Sequence, residues 1–120
     1  MAFYECTFIT RPDLQQSDIN KYVEKFSDII TNNGGEIVKT ELWGLRNLAY
    51  RIKKNKKGYY VHFGLKASPA ALSEMERNMK IAEDVIRHLS VKVDEINPEL
   101  SAIMKQTSLN DAFLEEDIGV

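Results

Sequence analysis

The sequence is poor in the features that usually announce chemistry. Its 120 residues include one cysteine, two histidines and one tryptophan. A single cysteine, Cys6, builds neither a disulfide framework nor a cysteine metal site. It lies in an apolar stretch and reads as a small core residue. His62 and His88 fall in different expected strands. No spacing pairs a nucleophile with a base or gathers metal ligands. No catalytic residue, metal ligand, cofactor or small-molecule substrate is therefore expected. No stretch approaches the roughly 20 apolar residues of a membrane span. The opening Met-Ala-Phe-Tyr-Glu-Cys has no basic segment followed by an apolar run. No membrane partner is expected, and the cytoplasm is the expected compartment.

Strong net charge is also missing: the formal value is −2. That average hides a segregation. Residues 1–96 hold 15 Lys/Arg against 13 Asp/Glu, a balance of +2. Residues 97–120 hold Lys105 against Glu99, Asp111, Glu115, Glu116 and Asp117, a balance of −4. Between Lys39 and Lys66 there are eight basic residues and one acid, Glu41. A basic block inside a near-neutral chain suggests an anionic partner.

What is present is a clear alternation of periods. Phe3 to Thr10 reads as a strand with Tyr4, Cys6 and Phe8 on one parity and Phe3, Glu5, Thr7 and Ile9 on the other. After Arg11-Pro12-Asp13, Ile19, Tyr22, Val23, Phe26, Ile29 and Ile30 recur at helical spacing. The amphipathic part starts at Ser17 or Asp18, with a first turn that can begin as early as Asp13, and Asn32-Asn33-Gly34-Gly35 ends it. Glu36 to Ile52 is strand-like, and Gly44 in its middle suggests a bulge or a close backbone approach. Lys53-Lys54-Asn55-Lys56-Lys57-Gly58 reads as a turn, and Tyr59 to Ala67 as the strand that completes a hairpin. Ser68-Pro69 starts a second helix with Leu72, Met75 and Met79 as its buried stripe. Val85 to Val93 is a last strand, closed by Asn97-Pro98.

Strand, helix, strand, strand, helix, strand is an α+β arrangement of the ferredoxin-like, split βαβ kind (βαββαβ). Right-handed crossovers put both helices on one face of a four-stranded antiparallel sheet, with the first and third strands central. Residues 1–96 form this domain, and residues 97–120 an acidic tail expected to be mobile or weakly helical. Inward parity belongs to Tyr4, Cys6 and Phe8 with Tyr59, Val61, Phe63 and Leu65. The other face is expected to be open, showing Phe3, Ile9 and Tyr60 to a partner beside Glu5, Thr7, His62, Gly64 and Lys66. Lys53, Lys54, Lys56 and Lys57 suit phosphate contacts, as point charges on flexible stems, and Arg46 and Arg51 suit bidentate ones. The third strand lacks the Lys/Arg-Gly-Phe-Gly/Ala-Phe run of an RNA-recognition motif, so base stacking is not the expected mode.

The run Trp43-Gly44-Leu45-Arg46-Asn47-Leu48-Ala49-Tyr50-Arg51-Ile52, then a basic turn and Gly58-Tyr59-Tyr60, resembles the signature of the bacterial small-subunit ribosomal protein six family. Tyr4-Glu5, Pro12 and Asp84-Val85-Ile86-Arg87 fit in order and spacing, so the resemblance covers about residues 3–93. Arg51 departs from it, standing where many relatives have proline. The resemblance implies a structural constituent of the small ribosomal subunit. It further implies binding to the central domain of small-subunit ribosomal RNA together with small-subunit ribosomal protein eighteen. Carried over, Phe3, Trp43, Arg46, Tyr60 and His62 are expected at the protein interface, and Arg46, Arg51, Lys53, Lys54, Lys56 and Lys57 at the RNA.

Two other readings compete. A free-standing interaction module of the same fold would use the open sheet but leave the lysine turn unexplained. A small acylphosphatase would need a phosphate-cradling loop after the first strand. There the chain has Thr10-Arg11-Pro12-Asp13, with no glycine and with a proline that removes an N–H.

Overall fold

A computed structural model describes residues 1–52 and 54–96 of the chain. The elements follow the expected order: β1 (Ala2–Thr10), α1 (Gln16–Asn32), β2 (Glu36–Ile52), β3 (Asn55–Ala67), α2 (Pro69–Ile81) and β4 (Val85–Val93). The sheet order is β2-β3-β1-β4, and every neighbouring pair is antiparallel. The expected ferredoxin-like arrangement is the one observed. The acidic tail, residues 97–120, and its expected mobility lie outside the described residues.

Each helix begins where local chemistry supplies a cap. The Ser68 hydroxyl accepts from the Ala71 N–H at 3.2 Å, and Pro69 occupies the first helical turn, where no N–H is needed. Helix α1 starts slightly earlier than the apolar spacing suggests, at Gln16. There the Asp18 carboxylate accepts from the Gln15 N–H at 3.3 Å and adds negative charge to the helix N-terminus.

Between helices and sheet lies the main core. Tyr4, Cys6 and Phe8 of β1 and Val61, Phe63 and Leu65 of β3 meet Ile19, Phe26 and Ile30 of α1 and Leu72, Met75 and Met79 of α2. The inward parities read from the sequence are the observed ones. Phe8 packs edge-on to Phe26 with centroids 5.1 Å apart, so the central strand and α1 share one aromatic contact.

The hairpin differs from the expected six-residue turn. Ile52 pairs directly with Asn55. Asn55 Nδ2 also donates to the Ile52 carbonyl at 3.2 Å, and Lys54 takes a left-handed φ of 69°. The connection is thus two residues long, and Lys56 and Lys57 belong to β3. Asparagine at the first paired position and a left-handed residue before it give the tight turn that the lysine-rich composition concealed.

The long edge strand β2 is broken in register at Ile37/Lys39, Leu42/Gly44 and Asn47/Ile52. At the second break Leu42 faces Val61 and Gly44 faces Tyr60, leaving Trp43 as the additional residue. Gly44 has φ +85°, a backbone state that costs a side-chain-bearing residue energy. The bulge expected at Gly44 is present.

Candidate nucleic-acid and protein interface

The outer face of the sheet is not the open surface that parity suggested. Thr7, Ile9 and His62 are fully buried and Tyr60 is 3% exposed, which corrects the expectation that this face shows them openly. The reason is the bulged β2. It carries Trp43 across the outer face, and Leu48 and Ile52 curl in behind it. With Ile86 and Leu89 of β4 they bury Ile9 and Tyr60 in a second, smaller core. Phe3, at the other end of β1, is half-buried, with the Lys66 ammonium 5.6 Å from its ring centroid.

Trp43, Tyr60 and His62 are brought together as a stack. The indole lies 5.1 Å from the His62 ring at an interplanar angle of 10°, and 6.2 Å from the Tyr60 ring at 19°. Burial raises the Tyr60 phenol pKa, partly offset by the Arg46 cation. His62 is fully buried beneath the indole, and Trp43 is itself only 9% exposed. The imidazole is held from beneath and beside. Its Nδ1 lies 2.8 Å from the Thr7 hydroxyl and its Nε2 3.5 Å from Glu5 Oε1. Glu5 is also 3.8 Å from Lys39 Nζ, which lies 3.6 Å from Glu41. Charge on this part of the face is therefore largely compensated within the fold. The Trp43 Nε1 is buried with no hydrogen-bond partner among the described residues.

Beyond Tyr60 the character changes. Arg46 stands opposite Gly58, and its Nε donates to the Trp43 carbonyl at 3.2 Å. Leu45, Arg46, Asn47 and Lys57 line a shallow concavity of about 360 Å³. Lys54, Lys56 and Lys57 are exposed, and Leu45 (51%) and Tyr50 (49%) add apolar surface around them. Arg51 belongs to β2, but its side chain, like all of Lys53, lies outside the described residues. The described RNA candidates thus cluster on the hairpin. The protein-interface candidates divide into the Trp43–Tyr60–His62 stack, Arg46 at its hairpin end, and Phe3 apart from it.

One polar cluster joins residues whose pairing no spacing in the sequence suggests. Arg11 pairs with the Asp84 carboxylate through Nε at 2.9 Å and through a second guanidinium nitrogen, and the Arg11 N–H donates to the Asp84 carbonyl at 2.9 Å. The Tyr22 hydroxyl donates to the other carboxylate oxygen at 2.7 Å. The Tyr22 bond, aided by Arg11 and opposed by desolvation, holds the Asp84 carboxyl below its ordinary range. Burial and that same bond push the Tyr22 phenol up to about 12. The cluster fastens the β1–α1 connection and α1 to the start of β4. Its partners lie up to 73 positions apart, which is why no local pattern reveals it.

Among the described residues no group of three or more His, Cys, Asp or Glu could hold a metal ion, and no helix is long and apolar enough to cross a membrane. Two relatives are each named small ribosomal subunit protein bS6. That of Rickettsia bellii is 52% identical over 108 residues, 90% of each chain. That of Rickettsia canadensis is 48% identical over 120 residues, 99% of each. Among solved structures, the 30S ribosomal protein S6 of Thermotoga maritima superposes with a TM-score of 0.72 at 25% identity, covering 92% of this chain and 96% of the other. The family described as ribosomal protein S6 matches residues 3–92, and with this fold and these relatives the chain belongs to that family of small-subunit ribosomal proteins.

Proposed function

We propose that this chain binds the central domain of small-subunit ribosomal RNA in company with small-subunit ribosomal protein eighteen, the hairpin meeting RNA and the outer sheet face meeting protein. The observation that carries the reading is the separation of charge. Lys54, Lys56, Lys57 and Arg46 gather at the hairpin, whereas Lys39 on the sheet face is compensated by Glu5 and Glu41. Exposed lysines satisfy phosphates without reading bases, so they fix register on a folded RNA. Arg46, held beside the buried Trp43 by its bond to the Trp43 carbonyl, offers an arginine anchor of the kind enriched in protein hot spots. Membership of the ribosomal protein S6 family supports the same assignment.

The test is a titration of the chain against the rRNA central domain, with and without protein eighteen. Weak binding alone and tight binding together is expected. Changing Lys53, Lys54, Lys56 and Lys57 to alanine should make the slope of log K against log salt shallower by up to about 3. The unfolding midpoint should barely move, because substitutions on exposed surface usually cost little. An unchanged salt slope removes the phosphate role.

A further inference from the structure

We propose that the hairpin carries a subsite for one unpaired adenine of an RNA chain, with Asn47 as the residue that reads the base. The subsite belongs to the proposed RNA surface and stands only if that surface binds RNA. Leu45, Arg46, Asn47 and Lys57 line the shallow concavity of about 360 Å³. That volume lies at the small end of ligand sites, which run from roughly 300 to 1,000 Å³. A free small ligand needs most of its surface enclosed, which a shallow site does not supply. One unit of a longer chain, held by contacts on either side of it, needs no enclosure. None of the four lining residues is acidic, and two are cations. The occupant that fits is a unit of an anionic chain.

The geometry is set by four successive pairs. Gly44 to Asn47 run in step with Tyr60 to Lys57, between two breaks in register. Direct partners share a face of the sheet, and successive residues alternate. Tyr59 packs against the main core. Its partner Leu45 therefore lies on the helix side of the sheet, and so do Asn47 and its partner Lys57. The Tyr59 hydroxyl donates to Gln16 Oε1 at 2.9 Å and fastens this part of the hairpin to the start of α1. Leu45 and Asn47 stand about 7 Å apart along β2. Across the strands the Cβ atoms of Asn47 and Lys57 are about 5 Å apart. An apolar surface, an amide and an ammonium thus lie side by side. The Arg46 guanidinium, tied by Nε to the Trp43 carbonyl, stands at their edge. A nucleotide presents a matching ring face, base edge and phosphate.

The local fold does not account for Asn47. Asparagine is depleted in strands, and at an irregular position it ordinarily bonds nearby backbone. Asn33, Asn55 and Asn78 do so, donating to the carbonyls of Ile29 at 2.7 Å, Ile52 at 3.2 Å and Glu74 at 2.8 Å. Asn47 stands at the third break in β2 and is exposed. Its amide has no hydrogen-bond partner among the described residues. An asparagine amide pairs with the N6 donor and N7 acceptor of adenine together. Guanine shows two acceptors on that edge, and cytosine and uracil one group each, so all three leave part of the amide unmatched. Helical RNA hides these edges in a deep, narrow groove, so the adenine must be unpaired. Leu45, 51% exposed, takes the ring face, and Lys57 and Arg46 take the adjoining phosphates.

The test uses short RNA stems that differ only in one bulged nucleotide, A, G, C or U, and a fifth stem with no bulge. Each is titrated against the full chain at low salt. The native chain should bind the A stem roughly 5- to 100-fold more tightly than the other four. The side-chain amide resonances of Asn47 should shift with the A stem and stay in place with the others. Asn47→Leu should bind all five stems alike, at the native affinity for the unmatched ones. Lys57→Ala should weaken all five by one common factor. Both positions are exposed, so the remaining amide resonances should report an unaltered fold. Equal binding of the five stems by the native chain overturns the subsite and leaves the hairpin's RNA role standing. An A preference that survives Asn47→Leu overturns the role of Asn47. Failure to bind any stem removes the RNA role, and the subsite with it. Displacement of the A stem by millimolar adenosine monophosphate would show a site for a free nucleotide and overturn the chain-borne occupant.

Discussion

Asp84 shows how a single residue can tie together segments that no local spacing connects. Its carboxylate receives Tyr22 and Arg11 together, and the side chain is only 24% exposed. Charge-assisted hydrogen bonds of this kind contribute more than neutral ones, discounted here because the Arg11 side chain is 43% exposed. Asp84→Asn should cost about 1–2 kcal/mol at neutral pH. The sign of the pH dependence follows from the direction of the shift. The folded-state pKa lies below the ordinary 3.8, so the stabilisation is complete above that value and is lost as pH falls through the folded one. Urea midpoints of the two chains should therefore differ at pH 7 and converge at the acid end. A gap that persists at pH 2 would show that the asparagine disturbs packing and that the charge is incidental.

At the scale of elements, β2 decides how the outer face is used. Gly44 permits the bulge that lays Trp43 over His62. A Cβ at Gly44 would touch nothing within 4 Å, so the cost of Gly44→Ala is conformational alone. It should be about 1–2 kcal/mol, read as a lowered thermal midpoint. A second readout is the Trp43 fluorescence, which should shift as the indole leaves its stack. An unaltered emission maximum would separate the bulge from the placement of the ring. The same strand marks where the sequence stops being legible. Helices, strand order and inward parity follow from period and capping, because each is a local pattern repeated several times. The burial of Ile9 and Tyr60 does not follow, since parity names a face without saying what crosses it. Three register breaks in β2 send Trp43, Leu48 and Ile52 where a regular strand would not. The short turn at Lys54 escaped for a similar reason: four lysines read as loop composition, while pairing of Ile52 with Asn55 depends on the partner strand. Of the candidate site, the basic hairpin was legible because charge clusters are visible in any order. The shielding of His62 beneath Trp43 was not.

For the whole molecule, the net charge of −2 describes neither end of it. The chain is a structural protein of the small ribosomal subunit, and its surface is divided between an apolar, internally compensated sheet face and a basic projection. Binding that engages both should survive moderate salt better than lysine contacts alone, because apolar burial is not screened. Sedimentation is the check. The protein should pellet with small subunits at moderate salt, and the chain with four alanines at 53, 54, 56 and 57 should be released at lower salt than the native one. Release of both at the same salt would assign the anchoring to the sheet face.

The broken register of β2 has one more effect. A 17-residue strand on the rim of a sheet, with Val38, Leu42, Leu45 and Tyr50 exposed, would otherwise be a template on which a second molecule could add its own rim. Interruptions after Ile37, Leu42 and Asn47 leave few consecutive backbone groups in step, and the lysines at the tip repel an identical neighbour. The irregularity of this one strand therefore guards the rim of the sheet against stacking into fibres with copies of itself.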